Sequence, residues 1–91
     1  MIIQWNDEKN TVLKRIRGVS FEQIVILLEE NTMIDMLDHP NKEKYGNQKL
    51  MLFNIENYIY VVPAVIEGES IFLKTIYPSR KYTEKYLRDN K

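Results

Sequence analysis

Residues 49–77 read KLMLFNIENYIYVVPAVIEGESIFLKTIY, and the fold is decided there. Three runs rich in β-branched, aromatic and long apolar residues, 49–55, 58–66 and 70–77, are separated by the short polar links Glu56-Asn57 and Glu67-Gly68-Glu69. Links of that length and composition join antiparallel strands, so the stretch predicts a meander, with residues 33–37 as a further strand. Pro63 has no N–H to give to a ladder. Its strand is therefore expected to be bulged or to lie, at that point, on a sheet edge.

Upstream of the strands the apolar period is helical. Ser20-Phe21-Glu22-Gln23 has the form of a capping box, and Phe21, Ile24, Val25, Leu27 and Leu28 follow at helical spacing. Glu29 and Glu30 oppose the helix dipole, so this helix should give way at Asn31. Before it, Asn6 can cap a helix starting near Asp7, with Asp7 and Glu8 in the favoured first turn and Gly18 placed to end it in a left-handed conformation. Val12, Leu13 and Ile16 form that helix's narrow apolar stripe, and Ile2, Ile3 and Trp5 make a short β-prone segment ahead of it. Downstream, Ser79 follows Pro78 and can cap a last helix over 80–89, where Tyr82 and Tyr86 share one face. Residues 38–48 are the one irregular segment of real length, and such loops are often functional. The expectation is an α+β chain: short N-terminal strand, two helices, antiparallel sheet of three to four strands, C-terminal helix.

A length of 91 residues predicts one domain spanning 1–91. With no cysteine, disulfides, thiolate metal clusters and a cysteine nucleophile are excluded. The start Met-Ile-Ile-Gln-Trp-Asn is unlike a secretion signal, and no run approaches the roughly 20 apolar residues of a membrane span, so a cytoplasmic location is expected. Lys+Arg and Asp+Glu are balanced at 13 each, yet residues 1–72 hold seven cations against eleven acids and residues 73–91 six against two. The positive face belongs to the carboxyl end.

Trp5-Asn6-Asp7-Glu8-Lys9, followed thirteen residues after the Trp by Gly18-Val19-Ser20-Phe21-Glu22, resembles the amino-terminal signature of BrnT toxins, a W-D-x-x-K run and then H-G-V-x-F-E. Thr75-Ile76-Tyr77-Pro78-Ser79-Arg80-Lys81, followed by Glu84 and Tyr86, is similar to that family's last strand, basic segment and terminal helix. The resemblance implies a RelE-like fold, ribonuclease activity within a toxin-antitoxin system, and neutralisation by a cognate antitoxin that also binds operator DNA. DNA would then be reached only through the antitoxin.

Cutting RNA by attack of its own 2′-hydroxyl needs a base for that hydroxyl, a cation for the phosphate and an acid for the leaving oxygen. Neither metal nor cofactor is required by that scheme. Arg80, Lys81 and Lys74 are placed to hold phosphates. His39, the only histidine, and Tyr45 share the 38–48 loop and are the groups expected to move protons, although a lone loop histidine is commonly an ordinary surface residue. Lys9, Arg15, Arg17 and Lys85 can add to an RNA-facing surface, and Tyr77 to base stacking. Each has a plainer role: a basic helix is often just solvated, and Tyr77, Tyr82, Tyr86 and Trp5 can simply pack. Glu22 and Glu84 match acidic family positions, but a first-turn carboxylate commonly serves a helix end.

Only three glycines are present, and no phosphate-cradling loop, nucleophile elbow or metal-chelating set can be written. A DNA-reading helix-turn-helix is disfavoured because the second helix is apolar with an acidic end. The alternative to the ribonuclease is a non-catalytic protein-interaction module, a degenerate toxin relative. It is suggested by the zero net charge and by Asn6, Leu13 and Ile16-Arg17, which stand where the family has Asp, Asn and Lys-His.

Overall fold

The computed structural model describes residues 1–88, so the predicted helix end at Asp89 lies outside the described residues. The elements run β1 (Ile2–Trp5), α1 (Asp7–Arg17), α2 (Phe21–Glu29), β2 (Asp35–Asp38), α3 (Lys42–Tyr45), β3 (Gln48–Ile55), β4 (Tyr58–Glu67), β5 (Ser70–Leu73), β6 (Tyr77–Pro78) and α4 (Arg80–Thr83), which continues as a π-helical stretch over Glu84–Arg88.

The local signals act as read. Asn6 Oδ1 accepts from the Lys9 N–H at 2.9 Å, and α1 ends at Gly18 with φ of 67°. Ser20 Oγ accepts from the Gln23 N–H, and α2 gives way at Asn31, whose φ is positive. Ser79 Oγ accepts from the Tyr82 N–H to start α4. Glu56 and Asn57 both take positive φ, which gives the tight reversal between β3 and β4 the twist that suits paired strands.

The sheet is larger than expected and mixed. Its order is β1-β5-β4-β3-β2, with β6 also on β4. Strands β2 to β5 are antiparallel, while β1 pairs in parallel with β5, Ile2 opposite Ser70 and Trp5 opposite Leu73. The uncharged β1 segment turns Ile3 and Trp5 towards the core, and pairing with β5 satisfies its backbone while doing so. Two further expectations change. The 38–48 loop contains a helical turn, α3, capped by Asn41 Oδ1 on the Lys44 N–H. The C-terminal helix is α-helical for one turn and then π-helical, a wider turn that brings Tyr82, Tyr86 and Leu87 together against the sheet.

Alternation along the strands builds two cores. Met51, Phe53, Ile55, Val62, Ala64 and Leu73 face α1 and α2, meeting Leu13, Phe21 and Ile24, with Trp5 stacked on Phe21 at 5.6 Å between centroids. Leu50, Leu52, Ile59 and Val61 face the opposite way and are covered by Tyr77, Tyr82, Tyr86 and Leu87. Of the α1 stripe only Leu13 is buried; Val12 and Ile16 stay 37% and 60% exposed.

Pro63 lies neither at an edge nor in a bulged strand, because β4 is the central strand. The adjustment falls on its neighbour. Ala64 pairs with Leu73 and Val61 with Tyr77, so Lys74, Thr75 and Ile76 stand opposite only Pro63 and Val62. Strands β5 and β6 are one line interrupted by a bulge of one extra residue. The Pro63 carbonyl accepts from the Lys74 N–H at 2.8 Å, so Pro63 turns its hydrogen-bonding edge, with the missing donor, towards that bulge.

Thr83, fully buried, joins α4 to β4. Its Oγ1 accepts from the Ile59 N–H at 2.8 Å and donates to the Ser79 carbonyl at 2.7 Å. Thr83→Val keeps the shape and leaves the Ile59 N–H unpaired, which should cost about 1–3 kcal/mol in urea unfolding with an unchanged slope. Thr83→Ser, which keeps the bond and loses only the methyl, should lose less; a Thr83→Val variant as stable as wild type would show that the bond contributes nothing.

Candidate RNA-contact surface

The bulge sets the position of Lys74. Its Nζ stands 5.6 Å over the Phe72 ring, and Phe72 and Lys74 line an open depression of about 520 Å³ together with Asn6, Glu8, Lys9 and Val12 of the α1 end. Lys9 and Lys74, 65 positions apart in the chain, thus share one site. Phe72 pairs with Val65, whose partner across the sheet is Gln48, and this half-buried row lies on the same face as α4 but outside the core α4 covers.

The other predicted residues are placed elsewhere. Along β4, the backbone contacts of Lys74 with Pro63 and of Ser79 with Ile59 are four residues apart, so Arg80 and Lys81 start roughly 13 Å from Lys74. Arg80, Lys81 and Lys85 are exposed on the C-terminal helix, Lys81 over the Tyr82 ring at 5.3 Å and Lys85 over Tyr86 at 5.4 Å. The three salt bridges among the described residues, Lys14–Glu22, Lys42–Asp38 and Lys49–Asp38, involve none of Lys9, Arg15, Lys74, Arg80, Lys81 or Lys85. Tyr77 is half-buried in the second core, and that burial raises its pKa. Arg15 is exposed on α1. Arg17 donates from Nη1 to the Ile76 carbonyl at 2.7 Å, which ties the bulge to α1.

His39 and Tyr45 are brought together, their rings 4.5 Å apart and tilted by 39°. His39 Nδ1 accepts from the Asn41 N–H at 3.1 Å, leaving the neutral ring's proton on Nε2. Beside them Asp38 takes both Lys49 and Lys42, and these ammonium groups, Lys49 first, hold its carboxyl below the usual carboxylate range. The pair follows β2, three strand spacings or about 14 Å from β5, so it is not within reach of Lys74. The predicted catalytic residues therefore occupy three places on the molecule.

Three positioning contacts escaped the sequence reading. Asn10, buried in α1, accepts from the Phe21 N–H at Oδ1 and donates to Glu22 Oε1, both at 2.8 Å, so it supports the start of α2. Glu22, matched above to a family acid, has its pKa lowered chiefly by that Asn10 bond, with Lys14 adding to it. Tyr86 donates to Asp35 Oδ2 at 2.7 Å and clips the C-terminal helix to β2. This bond pushes Tyr86 up to about 12 and Asp35 down. Only a polar residue on a helix's inner face hinted at any of them, since each partner is remote in sequence.

Among the described residues no group of three or more His, Asp or Glu side chains is placed to hold a metal, and no helix is long and apolar enough to cross a membrane. No family model, curated protein or solved structure matches the chain.

Because Tyr86 titrates higher folded than unfolded, its bond stabilises fully below the ordinary tyrosine pKa near 10 and is lost as pH rises through about 12. Tyr86→Phe should melt a few degrees below wild type at pH 8, with the gap closing above pH 10. A gap independent of alkaline pH would show that the bond to Asp35 is not its source, since the phenylalanine variant keeps the ring.

Proposed function

We propose that the protein is an endoribonuclease of the toxin type that binds single-stranded RNA across the sheet face beside the C-terminal helix and is held in check by an antitoxin protein. The BrnT-like residues 5–22 and 75–86 suggest the class. The observation that carries the RNA contact is the convergence of Lys9 and Lys74 on one depression, with Arg80, Lys81 and Lys85, which join no salt bridge among the described residues, further along the same side. From the depression the row Phe72, Val65, Gln48 leads towards His39.

In this reading Lys and Arg side chains hold successive phosphates, and His39 with Tyr45 acts on one of them. The 2′-oxygen attacks phosphorus as its proton passes to the base, and the 5′-oxygen leaves with a proton from the acid, which produces a cyclic phosphate end. His39 Nε2 and the Tyr45 hydroxyl are the two groups suited to those transfers. A second reading, binding without cleavage, is favoured by the separation of about 14 Å between the His39 loop and β5, which leaves Lys74 without a proton-transfer partner.

Labelled single-stranded RNA incubated with the protein in EDTA should yield cyclic phosphate ends. His39→Ala should slow this by roughly 100-fold or more, and Arg80→Ala/Lys81→Ala should weaken binding. With five phosphate contacts, the logarithm of affinity should fall against the logarithm of salt with a slope of about −3.5, at roughly 0.7 per contact. RNA bound at that slope but left intact would establish the binding module; absence of binding would refute both readings.

A further inference from the structure

We infer that the depression between α1 and β5 is a subsite for a single nucleotide, with Phe72 as the stacking floor for the base and Lys9 and Lys74 as the holders of its phosphate. The inference rests on the RNA-binding reading and names which part of the surface takes a base.

Phe72 is a large aromatic on a strand, yet it belongs to neither buried core. It sits on the sheet face that α4 covers only further along β4, and it stays half-buried. Its ring already attracts a cation, Lys74 Nζ at 5.6 Å, within the range of cation–π contact. A lysine on a flexible stem can swing aside, exchanging the ring face for a phosphate, and the vacated face then suits a base, because every base has a π-face to stack.

The remaining lining fits the same ligand. Val12, 37% exposed, adds an apolar wall. Asn6 spends its Oδ1 on the Lys9 N–H, which leaves its amide NH₂ to donate. Glu8 is the only carboxylate of the lining, so two ammonium groups against one acid leave the site cationic by one charge. A volume of about 520 Å³ falls in the range of small-ligand clefts, roughly 300–1,000 Å³. Inorganic phosphate would meet the lysines and leave Phe72 and Val12 wet, whereas a nucleotide uses both kinds of surface.

The full chain, ¹⁵N-labelled, is titrated with adenosine 5′-monophosphate, with inorganic phosphate and with a short single-stranded RNA, as wild type, Phe72→Leu and Phe72→Tyr. The subsite predicts that the nucleotide shifts the amides of Asn6, Lys9, Phe72 and Lys74 and binds more tightly than phosphate. Phe72→Leu should weaken nucleotide and RNA by roughly tenfold, and Phe72→Tyr, which keeps the ring, should bind as wild type does even if the leucine variant unfolds. Nucleotide and phosphate binding equally, or no nucleotide shifts at these residues, would overturn the subsite; RNA binding that persists in that case leaves the RNA reading standing. Nucleotide bound here with no RNA binding would keep the subsite and refute the RNA reading instead.

Discussion

Pro63 has no N–H, and it occupies the middle of the central strand, where a ladder normally takes hydrogen bonds from both sides. Much of the structure follows from how that gap is met. Towards β3, Pro63 stands opposite Leu50; its carbonyl points the other way, to Lys74. On that side the neighbouring strand carries one residue too many, so the missing donor faces a bulge. The extra residue turns the chain between β5 and β6, buries Ile76 in the first core and leaves its carbonyl for Arg17 to satisfy. The bulge also delivers Lys74 to the rim of the depression and leads β6 into the helix that crosses the second face.

That helix makes the sheet two-sided. A central pair of strands buried on both faces needs apolar residues at consecutive positions, as in Leu50-Met51-Leu52-Phe53 and Val61-Val62, rather than a simple alternation. Two polar contacts fix the helix over its core: Thr83 at its start, where it supplies the acceptor for a β4 N–H, and Tyr86 a turn later, where it reaches Asp35 on β2. Because both are specific in position, the exposed cations Arg80, Lys81 and Lys85 are held on a fixed surface and do not trail from a loose tail. Their basic character and the packing of Tyr82 and Tyr86 are therefore two faces of one short segment.

What was legible in the chain is what acts locally. Asn6, Ser20 and Ser79 cap helices within three residues of themselves, Gly18 and Asn31 end them by their own backbone preferences, and the strands of the meander declare themselves by composition. The parallel partner of β1, the bulge opposite Pro63, Asn10 beneath α2 and Arg17 on Ile76 each depend on a contact between remote segments, so no local pattern announces them. The site divides along the same line. Lys9 and Lys74 were readable as cations but not as neighbours, and Phe72 read as one more strand residue until the register placed it beyond the edge of the second core. His39 and Tyr45, six apart, were readable as a pair because they share one loop, while the α3 turn that brings their rings together was not.

The balance of charge has a similar resolution. A net charge of zero argues against attraction to nucleic acid only if cations and acids share the same surface. Here several acids are engaged within the fold: Glu22 with Asn10 and Lys14, Asp35 with Tyr86, Asp38 with Lys42 and Lys49. Asp35 and Asp38 lie on β2, about 14 Å across the sheet from β5, which exceeds the screening length of roughly 8 Å at physiological salt. Exposed acids at that distance do little to cancel the field of Lys9 and Lys74, where Glu8 alone lines the site with them. Neutrality of the whole is therefore compatible with local positive surfaces of limited extent, suited to a few phosphates of a single strand rather than to the length of a duplex.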